Sequence, residues 1–245
     1  MPDRVKLLVL RPGEIGLDLS NNLNELSTSI KSQHAPTLSI EPLSFSLSEK
    51  SYYAVIFISP TAVIACKDCI ATINNQGRLI FAVGAGTANK LKAYGVKNVL
   101  IPQTFNSEGL LAMTELAQVH NKAILIVKGE GGRELLLDTL ADRGAQCDTL
   151  NVYRRKPLAI QAETWDWYWQ GDDVKGITVA SVETLSAFDS YRRKDQLTVP
   201  EFILVASDRI AEVAESLGYT DVITVGGAAN HFFVTAMEKH LQAHD

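Results

Sequence analysis

Length, composition and charge place the chain among ordinary globular proteins and exclude several other classes. Its 245 residues are enough for two domains, since domains commonly contain about 100 to 200 residues. The hydrophobic fraction of 46% and charged fraction of 21% are typical of a folded soluble protein. A net charge of -5, with basic runs only at 154–156 and 192–194, argues against nucleic acid as a partner. Both runs are interpreted as solvated ends of elements.

Short apolar, β-branched runs alternate along the chain with helical stretches, which is typical of a parallel sheet flanked by helices. The predicted strands are residues 5–10, 53–58, 79–83, 123–127, 176–180, 201–206 and 221–225. The predicted helices are residues 15–32, 61–74, 87–94, 107–118, 133–143, 182–191, 209–217 and 230–242. The predicted fold class is therefore α/β.

Two segments interrupt this alternation, residues 37–46 and 149–156, and both are interpreted as linker strands. If the linker strands pair, the chain leaves a first domain after residue 36 and builds a second domain over residues 47–148. It then returns to complete the first domain over residues 157–245. The sequence thus predicts a discontinuous domain, 1–36 plus 157–245, joined by two strands to a continuous one.

Two internal similarities favour a duplication as the origin of the two domains. Residues 58–63 resemble residues 180–185, and each segment places a serine at a strand-to-helix turn. Residues 82–88 resemble residues 205–211, and each segment precedes a helix that ends in glycine. Matches this short also arise by chance, so both explanations stay open at this point.

Four turns rich in glycine or serine lie after predicted strands and before predicted helices: 59–61, 84–87, 129–133 and 226–230. Ligands of open parallel sheets bind beyond the carboxyl ends of the strands, where helix N-termini offer N–H groups to anions. The four turns together predict an anionic ligand, although capping and turn chemistry explain each one alone. None has the spacing of a Walker A or dinucleotide-binding loop, so a nucleotide has no specific support.

The candidate chemical groups are few. No catalytic triad, carboxylate pair or H-E-x-x-H helix is recognisable, and the five histidines are interpreted as surface residues. Tyr153 lies in the second linker strand, where a phenol could donate a proton or a hydrogen bond to a ligand. Core packing explains Tyr153 equally well at this point.

The cysteines and the apolar runs bear on the compartment. Cys66 and Cys69 have C-x-x-C spacing, but the pair is expected inside a helix rather than at its N-terminus, which favours a structural role. Three cysteines are too few for a disulfide framework and favour a reducing compartment. No secretory signal is recognisable, and no apolar run approaches the roughly 18 to 20 residues of a membrane span. A cytoplasmic protein with no membrane partner is expected.

The most specific block runs from Gly-Glu-Gly-Gly-Arg-Glu-Leu-Leu at 129–136, through 140–145, to Val-Tyr-Arg-Arg at 152–155. This block resembles the uroporphyrinogen-III synthase family. The resemblance continues in the same order at 10–12, 58–63, 82–84, 87–88, 107–111 and 226–228.

The resemblance implies two flavodoxin-like domains joined by a two-stranded linker, with the active site in the cleft between them. It implies a lyase without metal or organic cofactor, which cyclises hydroxymethylbilane to uroporphyrinogen III with inversion of ring D. The product is the precursor of haem, sirohaem and cobalamin. The resemblance makes Tyr153 the candidate acid. The residues implied in substrate binding are Arg11, Ser59, Thr87, Gly129, Ser181, Ser207 and Gly227.

The expected partner is this linear tetrapyrrole, with hand-over from hydroxymethylbilane synthase, and the protein is expected to be a monomer. A net charge of -5 does not attract a polycarboxylate, so backbone N–H groups, helped by Arg11 and Arg209, would have to bind it. Two other interpretations stay open: a two-lobed cytoplasmic binding protein for an anionic small molecule, and a flavodoxin-like protein that binds a nucleotide or flavin.

Overall fold

A computed structural model describes residues 4–74, 77–132 and 134–243, and the chain divides into two compact units. Unit 1 comprises Met1–Ile40 and Lys156–Asp245, and unit 2 comprises Glu41–Arg155. The chain leaves unit 1 within one strand, Leu38–Pro42, and returns to it within another, Gln146–Pro157. The finer division into two domains and separate linker strands stays a prediction.

The elements alternate between strand and helix through both units. In chain order, the strands are β1 (Val5–Val9), β2 (Ile30–His34), β3 (Leu38–Pro42), β4 (Ala54–Phe57), β5 (Leu79–Ala82), β6 (Ala123–Gly129), β7 (Gln146–Pro157), β8 (Val174–Val179), β9 (Phe202–Val205) and β10 (Val222–Thr224). The α-helices are α1 (Glu14–Leu26), α2 (Pro60–Ala65), α3 (Ile70–Asn74), α4 (Ala85–Ala93), α5 (Ser107–Leu111), α6 (Leu135–Asp142), α7 (Ala162–Trp169), α8 (Val182–Lys194), α9 (Asp208–Ser216) and α10 (Asn230–Gln242). Short 3-10 turns cover Lys67–Cys69 and Thr114–Leu116. The predicted α/β class is confirmed.

Unit 1 is built on a parallel sheet with the strand order β2-β1-β8-β9-β10. Counted within the unit, this order is the flavodoxin-like arrangement, in which the direction of winding reverses between β1 and β8. Loops at the carboxyl ends of these two strands diverge at this point and leave a crevice where ligands commonly bind. Arg11 follows β1 and Ser181 follows β8, so the topology places both residues beside the reversal.

The sheet of unit 2 has the order β5-β4-β6-β7-β3, and β5, β4, β6 and β7 pair in parallel. A parallel bridge between Phe81 and Leu100 adds a further pairing outside β5. The winding reverses between β4 and β6, which end immediately before Ile58 and in Gly129 respectively. Two of the predicted turns, 59–61 and 129–133, therefore begin at the two strands that flank the reversal.

The two sheets share a topology once the strands are matched by neighbourhood. β5-β4-β6-β7 in unit 2 corresponds to β9-β8-β1-β2 in unit 1, and the Phe81–Leu100 bridge corresponds to β10. In this matching β4 corresponds to β8 and β5 corresponds to β9, which are the strands before the two repeated sequence segments. The shared order is the one that a duplication predicts.

The central strands of each sheet are buried on both faces, as is usual for parallel sheets covered by helices. In β1 all five residues are buried, and Leu7 and Leu8 have no exposed surface. In β4 all four residues are buried, and Ile56 packs in a core cluster with Phe81. Continuous apolar runs, rather than alternation, are therefore the correct signature of these strands.

Among the described residues, no helix is long and apolar enough to cross a membrane.

Three predicted helices are wrong in extent. The helix predicted over 15–32 ends at Leu26, and Ile30–His34 forms β2 instead, because Ser27 is extended and the chain then pairs with β1. The helix predicted over 61–74 is broken by the 3-10 turn Lys67–Cys69. Cys66 ends α2, so the cysteine pair does not lie inside one continuous helix as predicted. The helix predicted over 107–118 ends at Leu111 and is followed by a 3-10 turn.

Two further differences concern the return into unit 1. β7 covers Gln146–Pro157, longer at both ends than the predicted linker strand 149–156. The helix α7 was not predicted, since its aromatic residues have only modest helix propensity. The helix forms because its aromatic face is buried. Tyr168 has no exposed surface, and its hydroxyl donates to the carbonyl of Gly176 at 3.1 Å. Burial of that face stabilises a helix that local preference leaves undecided.

Candidate active site

In unit 2, Ser59 marks the carboxyl end of β4 and begins α2. Its Oγ accepts a hydrogen bond from the Ala62 N–H at 3.0 Å, and Pro60 starts the helix, where a missing N–H costs nothing. Because α2 has only six residues, its dipole is short, and the Ser59 hydroxyl already satisfies one of the free N–H groups. Ser59 is therefore first a helix cap, with its hydroxyl turned towards Tyr153.

Tyr153 is the centre of the polar cluster in unit 2. Tyr153 is only 2% exposed, and its Oη lies 3.4 Å from Ser59 Oγ. Arg155 Nη2 donates to the same oxygen at 3.1 Å, and the guanidinium carbon is 5.5 Å from the ring centroid. The backbone carbonyl of Tyr153 accepts from the N–H of Glu130 at 2.7 Å. Tyr153 is thus bound at its backbone carbonyl and at its phenol oxygen, and this oxygen has polar neighbours on two sides.

Gly129 is glycine because the Tyr153 ring occupies the space of a side chain. A Cβ at Gly129 would lie 2.5 Å from Tyr153 Cζ and 2.9 Å from Tyr153 Oη. The ladder between β6 and β7 shifts register between Lys128 and Gly129, which pairs Gly129 directly with Tyr153. Gly131 and Gly132 follow with φ of 72° and 85°, values that favour glycine. Arg133 was included in this turn and lies outside the described residues.

Thr87 does not lie open to a ligand. It is in the first turn of α4 and only 2% exposed, so its side chain is part of the packing in unit 2. The helix begins at Gly84, whose missing Cβ makes room for Phe105: an added Cβ would be 3.0 Å from Phe105 Cβ. Phe105 is 56% exposed, an apolar surface next to this turn that the sequence did not single out.

In unit 1, Arg11 is tied to the glycine-rich turn that precedes α10. Its Nη1 donates to the Ala228 carbonyl and lies 3.4 Å from Asn230 Oδ1, while Asn230 Nδ2 donates to the Ile15 carbonyl at 2.9 Å. Burial lowers the pKa of the Arg11 guanidinium below its ordinary value. The structure therefore brings Arg11 next to the turn that contains Gly227, as two predicted binding residues would require.

His34 supports the backbone of Arg11. Its Nε2 lies 2.8 Å from the Arg11 carbonyl, which can only accept, so this nitrogen carries the proton. Gly16 allows the approach, because a Cβ there would lie 1.9 Å from the Arg11 carbonyl oxygen. The prediction of a surface histidine was wrong for His34, which is half-buried in β2.

Ser181 and Ser207 both begin helices in unit 1, but their hydroxyls differ. Ser181 Oγ accepts from the Thr184 N–H at 3.2 Å and lies 2.9 Å from Thr184 Oγ1. Ser207 is exposed, and its side chain makes no capping hydrogen bond to α9. Arg209, in the first turn of α9, is also exposed. Ser207 is thus better placed than Ser181 to meet a ligand.

The basic runs 154–156 and 192–194 are largely exposed, as predicted, with Arg192 as the buried exception. Arg192 is only 7% exposed, and its Nη2 lies 2.6 Å from Asp189 Oδ1, so the prediction of a solvated helix end was wrong there. Arg154 pairs with Glu41, and Arg155 contacts Tyr153. A partnership between Arg155 and Tyr153 was readable from their two-residue spacing in a strand, which puts both side chains on one face.

The environment of Cys66 disfavours a reactive thiolate. Cys66, Cys69 and Cys147 are free, and no group of three or more His, Cys, Asp or Glu side chains in the part of the chain that the structure describes could hold a metal ion. Burial raises the pKa of the Cys66 thiol to about 12, which is opposite to the shift of a reactive cysteine.

Fold and site together define the class: a protein of two flavodoxin-like units whose candidate binding residues follow the carboxyl ends of parallel strands. A family model described as uroporphyrinogen-III synthase HemD matches residues 22–226. The chain therefore belongs to the uroporphyrinogen-III synthase family, whose members are enzymes of tetrapyrrole biosynthesis.

Individual relatives agree with this assignment. The chain is 28% identical to the uroporphyrinogen-III synthase of Escherichia coli K12, over 96% of this chain and 100% of that protein. It is 33% identical to the Salmonella typhimurium enzyme over 64% of this chain and 66% of that protein. The fold is similar to that of uroporphyrinogen-III synthetase from Helicobacter pylori, with a TM-score of 0.64 and 13% identity over 97% of this chain and 99% of that one. A mutant Thermus thermophilus enzyme gives a TM-score of 0.59 at 13% identity, over 98% and 99% of the two chains.

Proposed function

We propose that the protein closes the linear tetrapyrrole hydroxymethylbilane to uroporphyrinogen III, with loss of water and inversion of ring D. The single observation that carries the proposal is the family match, which covers the glycine turn at 129 and the Tyr153 strand. The polar cluster around Tyr153 in unit 2 supports the proposal, because it contains a phenol that can donate a proton.

The reaction begins when the terminal hydroxyl of the substrate leaves as water, for which it takes up a proton. The azafulvenium cation that remains is attacked by the substituted carbon of ring D, and a spiro intermediate forms. This intermediate reopens and closes again with ring D reversed. Since the free substrate closes unaided without inversion, the protein has to hold a conformation that favours attack by the substituted carbon.

Tyr153 is the proposed proton donor for the departing hydroxyl. Its proton is not needed in the bond with Arg155, because the guanidinium donates and the phenol oxygen accepts. The contact with Ser59 is 3.4 Å, longer than the roughly 2.7–2.8 Å of a good O–H···O bond, so this proton is weakly held. Because the residue is only 2% exposed, the proposal also requires a neighbouring group to move before substrate reaches the phenol.

The substrate carboxylates are proposed to bind at helix N-termini and at cations beside them. In unit 2 the backbone N–H groups of the turn after Gly129 precede α6. In unit 1 the candidates are Arg11 with the Gly227 turn, and the exposed Ser207 with Arg209. Ser59, Thr87 and Ser181 are proposed to shape these turns, since their side chains are engaged in caps or buried.

We also propose that the protein is a monomer in the cytoplasm and receives its substrate from hydroxymethylbilane synthase. Three free cysteines fit a reducing compartment. An unstable substrate benefits from direct hand-over. No cofactor is assigned a part in the reaction. The alternative of an anion-binding protein without chemistry is not favoured, because the family match names an enzyme.

The test is product analysis. Purified protein is supplied with hydroxymethylbilane, the products are oxidised, and the type I and type III uroporphyrin isomers are separated by chromatography. An excess of type III over a protein-free control is the expected outcome. Type I alone, from protein shown by circular dichroism to be folded, would mean that the chain has the family fold without its activity.

A further inference from the structure

Arg155 contacts the phenol of Tyr153, which is the proposed proton donor. The two residues stand two apart in β7, so their side chains emerge on the same face of the strand. Arg155 Nη2 donates to Tyr153 Oη at 3.1 Å, and the guanidinium carbon stands 5.5 Å from the ring centroid. The arginine therefore meets the phenol at its oxygen while lying against its ring.

This geometry fixes the direction of the phenol proton. A guanidinium has only donors, so the Tyr153 oxygen must accept from Arg155 and point its own hydrogen elsewhere. The oxygen that would lose this proton also stays next to a permanent positive charge. A hydrogen bond from a cation is stronger to a phenolate than to a neutral phenol, so the contact tightens as the proton leaves.

The neighbouring Arg154 shows that this arrangement is specific to one of two adjacent arginines. Arg154 points to the other face of the strand, where its Nε pairs with Glu41, and its side chain is 42% exposed. Its guanidinium pairs with Glu41 rather than with the phenol, and an exposed ion pair of this kind contributes little to stability. Arg154 is thus a matched control: the same residue type, one position away, without the Tyr153 contact.

We propose that Arg155 is a positioning residue for the reaction: it orients the Tyr153 phenol and stabilises the phenolate left by proton transfer. The inference rests on the proposed function, because it concerns the step in which the substrate hydroxyl leaves as water. The O–H bond of Tyr153 breaks, the proton joins the departing hydroxyl oxygen, and the electron pair stays on the phenol oxygen beside Arg155. The proton returns to Tyr153 when ring closure releases one from the substrate carbon.

The test is a double-mutant cycle in kcat and KM for hydroxymethylbilane, using Arg155→Gln, Tyr153→Phe and the double variant. Arg155→Gln is expected to lower kcat roughly tenfold to a hundredfold, the range for loss of a hydrogen bond to a charged group, with little change in KM. In the Tyr153→Phe background the same change is expected to cost less than about twofold. Arg154→Gln is expected to stay within about twofold of the unaltered enzyme.

Arg155→Lys provides a second variant, which keeps the charge and should recover part of kcat; it also serves if Arg155→Gln does not fold. An unchanged kcat would overturn the inference, and so would an equal loss with and without the Tyr153 hydroxyl. A loss confined to KM would overturn it in favour of direct binding of a substrate carboxylate. Type I product alone from the unaltered protein would instead overturn the proposed function, and the positioning role with it.

Discussion

The carboxyl edges of the two sheets present their candidate residues in different ways. In unit 2 the phenol of Tyr153 is enclosed by Gly129, Ser59 and Arg155, and 2% of the residue is exposed. In unit 1 Ser207 is exposed and its side chain makes no capping bond, and Arg11 reaches a carbonyl of the neighbouring turn. One edge holds a side chain in a fixed place, whereas the other offers polar groups at a surface.

This difference indicates that the two edges have different tasks, proton transfer and carboxylate binding, although the two sheets share a topology. A group that transfers a proton must be held within a narrow geometry, which the packing around Tyr153 supplies. Groups that bind carboxylates act as charges and dipoles and tolerate more freedom. We therefore expect substitutions in the unit 2 cluster to change kcat and those at the unit 1 edge to change KM.

The largest effect is expected from Gly129→Ala. The new methyl would lie 2.5 Å from Tyr153 Cζ, so the ring must move, and a displacement near 1 Å costs on the order of a hundredfold in rate. Gly176→Ala in unit 1 is the control, since its Cβ would lie 2.2 Å from the Phe202 ring in the core. Both should lower the melting temperature, but only Gly129→Ala should lower kcat at a temperature where both are folded. Equal kcat in the two variants would contradict the special role of the unit 2 cluster.

Tyr153→Phe should lower kcat to a similar extent, without the loss of stability that Gly129→Ala also causes. It removes one oxygen and keeps the ring, so the fold should be intact while kcat falls by about a hundredfold, the lower end for loss of a general acid. Circular dichroism and steady-state kinetics on the same preparation check both halves of this statement. A variant with unchanged kcat would remove Tyr153 from the mechanism and leave catalysis to backbone donors.

A smaller effect, of a different kind, is expected from Arg11→Gln in unit 1. Loss of its charge at the Gly227 turn should raise KM roughly tenfold and leave kcat within about twofold. Arg193→Gln is a suitable control, because Arg193 is a half-exposed partner of Asp189 at the end of α8. If Arg11→Gln lowers kcat instead, the division of tasks between the units is incorrect.

The smallest effect concerns alkaline stability, which probes each unit separately. Burial raises the pKa of Cys66 in unit 2 and of Tyr219 in unit 1, each to about 12. In the unfolded chain these groups lose their protons near pH ~8.5 and ~10, so above those values the unfolded state binds fewer protons. The free energy of unfolding should therefore fall as pH rises towards 12.

Urea unfolding between pH 9 and pH 12 would measure this slope, and each unit has its own variant. Cys66→Ala should reduce the slope from about pH 9 upward, and Tyr219→Phe should reduce it from about pH 10 upward. A slope unchanged in both variants would show that neither buried group governs the alkaline loss. As an independent check, a thiol reagent at pH 8 should modify Cys66 more slowly than the half-buried Cys69 and Cys147.

Parts of the site were predictable because local chemistry sets them. Ser59 and Ser181 cap helices after strands, and the structure gives each the expected bond from an N–H three residues on. The burial of Thr87 was not predictable, because exposure depends on what packs over α4. Nor was the contact of His34 with the Arg11 carbonyl, which joins residues 23 positions apart through the pairing of β1 with β2.

The amino-acid sequence by itself determined the α/β class, most strands, the family and the candidate acid, because apolar runs, caps and a specific block of residues are local properties. The tertiary structure decided that residues 30–34 form a strand, since pairing with β1 outweighs a helical pattern. It also decided that α7 forms and that His34 meets the Arg11 carbonyl. Such outcomes depend on burial and contacts between distant segments, which no local pattern contains.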